Sequence, residues 1–448
     1  MKVLLFHGYM LRGTGSNIYT ANVARALARL GHEVHLLCQE RQVRLEGVEI
    51  HNPDIGGLLP VYVKDPYEGF EVKAFPELTE AELDRYLEGN VAAVRDVAGA
   101  VGGFDAALAG HLVMGPAILA RAEIGPFAAK VHGSALEYTV KPHPRFVPHA
   151  EEGVRAASCV LVGSRHTAES LWAALPSVSG LRGKTRLGPP GLDTEIFRPG
   201  TGPAGGAPLV VFVGKLIVSK GLDLLLAAWP LVRAEHPEAT LEIVGYGAYE
   251  GGLRRLLAAL DRGDLEDARA VAEAGWRLED GEERPLPILS AFLADPPPAY
   301  LEAVAGIAGS VDFVGRLEHE KVAELLPRAE ALVMPSTFPE AFGMVAAEAA
   351  ACGALPVSAD HSGMREVSRQ LAAELPPEVA GLTSFPLEPG AVEAIAQRLN
   401  AWLALPEHER AAARELLVDT ARRLWSWEGV ARGIIAASRG ELDRLPLA

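Results

Sequence analysis

Cysteine, positive charge and long apolar runs are all in short supply in this chain of 448 residues. Only three cysteines occur, Cys38, Cys159 and Cys352. They lie far apart among apolar neighbours, which predicts buried free thiols rather than a disulfide framework. No C-x-x-C pair or His/Cys cluster points to zinc, so no metal site is expected. Lys and Arg number 42 against 58 Asp and Glu, a net charge of −16. That balance lacks the basic footprint of a nucleic-acid binder, although a few local cations or a helix end suffice for a phosphate-bearing ligand. The longest uncharged apolar stretch, 106–120, contains Gly110, His111 and Pro116 and falls short of a membrane span. The apolar start, Val3 to Phe6, is too short for a signal h-region. A cytoplasmic protein with no transmembrane segment is therefore expected, with peripheral membrane contact left open.

What is present is globular: 49% apolar and 22% charged residues, in a chain too long for one hydrophobic core. Apolar runs of strand length alternate with segments of helical periodicity, the pattern of an α/β fold with parallel sheets covered by helices. Val3 to Phe6 reads as a buried strand, Ser16 to Leu30 as a helix ended by Gly31, and Glu33 to Leu37 as the next strand. Ala106–Leu108, Ala128–His132 and Cys159–Val162 continue the series. The Gly/Pro-rich stretch from Arg198 to Pro208 reads as a linker. The alternation then restarts with Leu209–Val213, Leu241–Val244, Val311–Val314, Ala331–Met334 and Leu355–Val357. Between them, 248–310 breaks the rhythm and reads as a helical insertion, and Ala391 to Arg439 is helical by pattern.

Three loops carry the candidate chemistry. Gly13-Thr14-Gly15 lies between the first strand and first helix, where backbone amides form a phosphate site. A dinucleotide fingerprint with Glu40 on a ribose fails, because Ile18 stands where a third glycine belongs. Gly214-Lys215 and Lys220-Gly221 follow the first strand of the second half, at the edge where ligands gather in such sheets. Pro335 to Gly353 runs from a strand through a Pro-containing loop into an almost wholly apolar helix. A carboxylate at Glu348 inside that helix is costly to bury without a polar partner. It is either a structural ion pair or an acceptor for a ligand's vicinal hydroxyls. Glu340 lies eight residues earlier, about 12 Å away on an ideal helix. The two carboxylates therefore suit separate parts of one extended ligand rather than one metal.

Glu340 and Glu348, with Pro335-Ser336 and Pro339-Glu340-Ala341-Phe342-Gly343 around them, resemble the Glu-x7-Glu signature of the retaining glycosyltransferases of family 4. Other segments fall in that family's order: Gly13-Thr14-Gly15, Val131-His132-Gly133-Ser134, Ser164, Pro190-Gly191-Leu192-Asp193, Val244-Gly245-Tyr246-Gly247, Ser362-Gly363-Met364-Arg365-Glu366 and Trp425-Ser426-Trp427. Three departures stand out: Lys215 where the family has Arg, Pro190 where it has Asn, and the 248–310 insertion.

The resemblance implies the GT-B fold, two Rossmann-like domains facing each other across a cleft. Residues 1–197 would form the acceptor-side domain, with 425–448 packing back on it, and 198–424 the nucleotide-sugar domain. It implies a metal-independent hexosyltransferase with no cofactor, moving a hexose from a nucleotide-diphosphate sugar to an unidentified hydroxyl acceptor. His132, Glu340 and Lys220 would be catalytic. Gly15, Gly214, Lys215, Lys220, Phe342, Gly343, Met344 and Glu348 would hold the donor. Attack on the sugar would come from the face the leaving group departs, without a protein nucleophile. A sugar-nucleotide epimerase or phosphorylase of the same fold, or a non-catalytic sugar-nucleotide-binding protein, would share much of this pattern. His111, at the end of another strand, is ambiguous, and Arg316 is read as structural.

Overall fold

The computed structural model describes residues 1–11, 15–62, 67, 69–200, 206–279, 281–340 and 342–448. Gly13 and Thr14, Ala341 and part of the expected linker lie outside the described residues. The chain divides into two units, Met1–Gly191 with Trp425–Ala448, and Leu192–Leu424. The first division thus falls a few residues before the expected 197/198.

The first unit is built on a parallel sheet of seven strands in the order β3-β2-β1-β6-β7-β8-β9. These are β1 (Lys2–Phe6), β2 (Glu33–Leu37), β3 (Val48–His51), β6 (Ala106–Gly110), β7 (Phe127–Val131), β8 (Cys159–Val162) and β9 (Thr185–Leu187). A separate pair, β4 (Leu58–Val61) and β5 (Glu71–Ala74), is also parallel. Strands β6, β7 and β8 are buried along their whole length, as expected when helices cover both faces of a parallel sheet. Their sequences are accordingly unbroken apolar or small-residue runs, with one exception: Lys130 in β7 is buried. Strand β7 ends at Val131 rather than His132, which leaves His132 as the first residue past the carboxyl edge.

The helix Gly15–Arg29 buries Val23, Ala24, Ala26 and Leu27 against the sheet. Its neighbour comes from the far end of the chain. Helix Trp427–Ser438, capped by the Ser426 side chain accepting from Gly429 N, places Trp427 in the core with Val3, Leu5 and Tyr19. A Cβ on Gly191 would stand 2.2 Å from the Trp427 ring, so the indole needs a glycine there. Ser438 Oγ donates to the Ala107 carbonyl of β6 at 2.8 Å. The continuous helical tail read from the sequence is three helices, Ala391–Ala404, Glu407–Trp425 and Trp427–Ser438. Pro406, which cannot continue the first, and the Ser426 cap set the breaks.

The second unit holds a parallel sheet of six strands in the order β12-β11-β10-β13-β14-β15. These are β10 (Leu209–Val213), β11 (Thr240–Val244), β12 (Val311–Gly315), β13 (Ala331–Met334), β14 (Leu355–Ala359) and β15 (Ser384–Phe385). The 248–310 segment is the connection from β11 to β12 and carries the helices Glu250–Asp261, Leu265–Ala274, Pro287–Ala294 and Pro298–Ala303. All three cysteines are buried and free. Among the described residues no helix is long and apolar enough to cross a membrane.

Candidate functional site

In the second unit, the loops leaving β10, β13 and β14 converge at one edge of the sheet. After β10 the chain runs through Gly214 and the exposed Lys215 to a 3-10 turn at Val218–Lys220. Buried Leu216 and Val218 anchor the loop. Leu216 N donates to Tyr246 O at 2.9 Å, and Val218 N to the Glu279 carboxylate at 2.7 Å. Glu279 belongs to the insertion, so that segment helps to hold the lysine loop. Gly221 ends the turn at φ +65°, and a Cβ there would lie 2.0 Å from the Pro335 carbonyl of the next loop. Gly221→Ala is expected to cost at least about 2 kcal/mol of stability, from the backbone conformation and the clash together. Denaturant melts of the two proteins check it, and an unchanged midpoint refutes it.

The loop after β13 contains buried Ser336 and half-buried Glu340. Lys220 Nζ forms an ion pair with Glu340 Oε1, and Ser336 Oγ donates to the same oxygen at 2.8 Å. The backbone of Glu340 is fixed as well: its N–H donates to Ser362 Oγ at 2.9 Å, and its carbonyl accepts from Gly363 N at 2.8 Å. His361 Nε2 lies 2.7 Å from the Ser336 carbonyl, which sets that nitrogen as the donor. Glu340 is thus held by residues from all three loops, with its carboxylate aimed by a cation and a hydroxyl.

Helix Met344–Cys352 follows, with buried Phe342 and Gly343 leading into it and Met344 half-buried at its first position. Only the second half of the stretch from Glu340 to Glu348 is helical, so ideal-helix spacing does not describe the pair. The helix is buried on nearly all sides because Ala346, Ala347, Ala349, Ala350 and Ala351 let its neighbours approach closely. Glu348 is only 6% exposed. Among the described residues no hydrogen-bond donor meets its carboxyl; the one charged contact, His319 Nε2, is 3.9 Å away. Burial without a donor pushes the Glu348 pKa up to about 8. Lys215 likewise has no ion pair among the described residues.

The remaining predicted residues, Gly15 and His132, belong to the first unit. Gly15 is the exposed first residue of its helix. The His132 ring packs edge-on against Tyr19, with centroids 5.1 Å apart, and at the same distance against His111. His111 in turn stacks on His7 at 5.4 Å and meets Tyr9 and Tyr62. His7 is fixed by Asn17 at 2.9 Å and Thr20 at 3.1 Å. Burial above all, then the neighbouring His111, Lys130 and His7, hold the His132 pKa well below the usual imidazole range. His132 is therefore a neutral imidazole near pH 7, suited to hydrogen bonding rather than to carrying charge. The sequence left His111 ambiguous; the fold places it in this ring cluster, 2% exposed and with neither ring nitrogen hydrogen-bonded among the described residues. His7 escaped notice because a lone histidine after a strand carries no signal until β1 and β6 pair. Arg316 pairs with Glu318 at 3.2 Å on the surface. His149 lies in the helix Val147–Ala156, where Pro148 sits in the first turn.

Two parallel Rossmann-like sheets, with carboxylates and lysines at the strand edges of the second, define the GT-B class of fold. Solved structures agree across the chain. Sucrose-phosphate synthase from Thermosynechococcus elongatus superposes with a TM-score of 0.58 at 20% identity, covering 99% of this chain and 98% of that one. Anabaena HepE in complex with UDP-glucose gives 0.55 at 16% identity, covering 99% and 100%. Residues 13–196 match the family model described as Glycosyltransferase Family 4, and residues 207–282 and 300–415 match those described as Glycosyl transferases group 1. The chain belongs to the group 1, family 4 glycosyltransferases. Among curated proteins it is similar to a glycogen synthase of Mycobacterium tuberculosis, 28% identical over 56% of this chain and 47% of that one. The chain thus spans about half the length of that relative. A D-inositol 3-phosphate glycosyltransferase of Segniliparus rotundus is 26% identical over 96% of this chain and 85% of its own.

Proposed function

We propose that the protein is a retaining hexosyltransferase that moves a hexose from a nucleoside-diphosphate sugar to a hydroxyl acceptor. The observation that carries this reading is Glu348, a buried carboxyl that meets no donor among the described residues, in the helix that follows the Lys220–Glu340 pair. Vicinal hydroxyls of a ribose supply the two donors Glu348 lacks. Lys220 and the exposed Lys215 meet the diphosphate, assisted by the amides around Phe342 to Met344 at the helix start. Lys215 does so as a point charge, without the bidentate fork an arginine offers. Glu340, aimed by Lys220 and Ser336, holds hydroxyls of the sugar. His132 donates or accepts one hydrogen bond at the sugar as a neutral imidazole, and Gly15 lets backbone approach the ligand.

In the reaction the bond from the sugar C1 to the diphosphate oxygen breaks and its electron pair leaves with the diphosphate. The acceptor oxygen bonds C1 on that same face, and its proton leaves with the departing phosphate. Cations fixed where charge develops lower the barrier, because they need no reorganisation as the bond breaks. HepE, of the same fold, has been solved with UDP and with UDP-glucose, which supports a nucleotide-sugar donor.

A thermal-shift screen with UDP-, GDP- and ADP-sugars, free nucleotides and NAD, with and without EDTA, tests the reading. Donor at about 100 times its dissociation constant is expected to add about 2.7 kcal/mol. Stabilisation by one nucleotide sugar supports it; stabilisation by NAD alone, or by nothing, overturns it.

A further inference from the structure

A second cluster of chemistry-bearing side chains lies outside the candidate site, on one face of the edge strands β2 and β3. The parallel register sets His35 opposite Glu49 and Leu37 opposite His51, so alternate residues bring Glu33, His35, Glu49 and His51 to the same face. The two imidazoles lie end to end, with centroids 5.3 Å apart and planes inclined by 16°. His35 Nδ1 stands 3.0 Å from His51 Nε2. Glu49 offers one carboxylate oxygen 3.5 Å from His35 Nδ1 and the other 3.9 Å from His51 Nε2. One ligand atom from each of the three residues falls within 4.8 Å of the others.

The protonation of this cluster is constrained from behind. The Glu33 carboxylate lies 3.1 Å from His35 Nε2 and accepts a hydrogen bond from its N–H. Nδ1 of the same ring is then left with a lone pair, pointing at His51 and Glu49. A His51 N–H donated to that lone pair satisfies both nitrogens, and the Glu49 carboxylate beside them, 3.5 and 3.9 Å away, takes no part in it. A divalent cation serves all three groups at once, where a shared proton serves two. Two nitrogens bound to zinc at about 2.0–2.1 Å stand about 3.3 Å apart at the tetrahedral angle, close to the 3.0 Å separation here. A carboxylate behind a ligating histidine is the usual device for fixing its tautomer and raising its basicity. Phe104 packs edge-on against the His35 ring at 5.6 Å and holds it in place.

We propose that His35 Nδ1, His51 Nε2 and a Glu49 oxygen bind one divalent zinc-type cation. Glu33 is the positioning residue, and water occupies the fourth coordination position. Imidazole and carboxylate together suit Zn²⁺ and its neighbours Ni²⁺ and Cu²⁺ rather than Mg²⁺ or Ca²⁺. The ion ties edge strand β3 to β2 and so stabilises the first unit; nothing in this inference depends on the glycosyl-transfer reading. The cluster is invisible in the sequence because His35 and His51 sit on different strands, at a spacing no metal motif shares.

Titration calorimetry with ZnCl₂ on the tag-free full chain, stripped with chelator, tests the proposal. One equivalent is expected to bind. His51→Ala and Glu49→Gln are expected to weaken binding at least ten-fold, and Glu33→Ala by about ten-fold. Zinc is expected to raise the melting temperature of wild type but not of His51→Ala. Absent saturable binding, or equal affinity in His51→Ala and Glu49→Gln, overturns it and leaves a plain histidine–histidine hydrogen bond. Should those variants not fold, Co²⁺ bound to wild type decides. Intense visible bands of a four- or five-coordinate ion support the site, and the weak bands of hexa-aqua cobalt refute it.

Discussion

Lys220→Ala is expected to lower kcat/KM for nucleotide release from the donor by about 10²–10³-fold, the usual loss when one preorganised charge-stabilising group is removed. Two effects combine. The diphosphate loses a cation where its negative charge develops, and Glu340 loses the ion pair that aims its carboxylate, leaving Ser336 Oγ as its side-chain partner. Lys220→Arg keeps the charge but spreads it over a planar fork, so partial recovery is expected. Steady-state kinetics on the two variants, with the donor found by thermal shift and melting temperature checked in parallel, measure this. A loss below ten-fold in a folded Lys220→Ala protein sinks the assignment of Lys220 to the leaving group.

Glu348→Gln is expected to abolish the donor's stabilising effect and to change how the ligand-free protein responds to pH. The carboxyl titrates near pH 4.5 when exposed and near 8 in the fold, because burial disfavours its charged form. Between those values the native state holds a proton that the unfolded state has released. Stability contributed by this group is therefore full below about pH 4.5, falls as pH rises, and is lost above about 8. The change amounts to on the order of 5 kcal/mol across that window. The Gln variant lacks this slope, so wild type minus variant stability, from urea melts at intervals from pH 4.5 to 8.5, should decline steadily with pH. A flat difference means Glu348 is already ionised and partnered without ligand. Saturating donor should flatten the wild-type curve, since its hydroxyls supply the hydrogen bonds that stabilise the carboxylate.

The second-unit site was largely legible in the sequence because its residues lie in contiguous motifs. Pro335 to Gly353 shows a strand, a loop and a buried helix from composition alone, and a carboxylate within so apolar a helix marks itself as anomalous. The first unit was less legible. Val48–His51, Leu58–Val61 and Glu71–Ala74 went unread as strands, since each is four residues long and three-quarters or less apolar, below the length at which periodicity speaks. The neutral state of His132 was equally out of reach, for it comes from burial beside His7, His111 and Lys130, on three different strands or their ends.

The sequence by itself determined the two α/β halves, the parallel sheets and which residues stand in the loops at the sheet edge of the second unit. Buried parallel strands must be continuous apolar runs, and loop motifs keep their chemistry within a few residues of chain. Only the tertiary structure decided which distant groups meet. Lys220 reaches Glu340 because β10 and β13 are neighbours in the sheet. Trp427 returns to the first unit because Gly191 leaves room for its ring. His35, Glu49 and His51 converge because β2 and β3 pair in that one register. Strand order and register are set by the packing of the whole core, so a contact between separate strands exists only once that packing is complete.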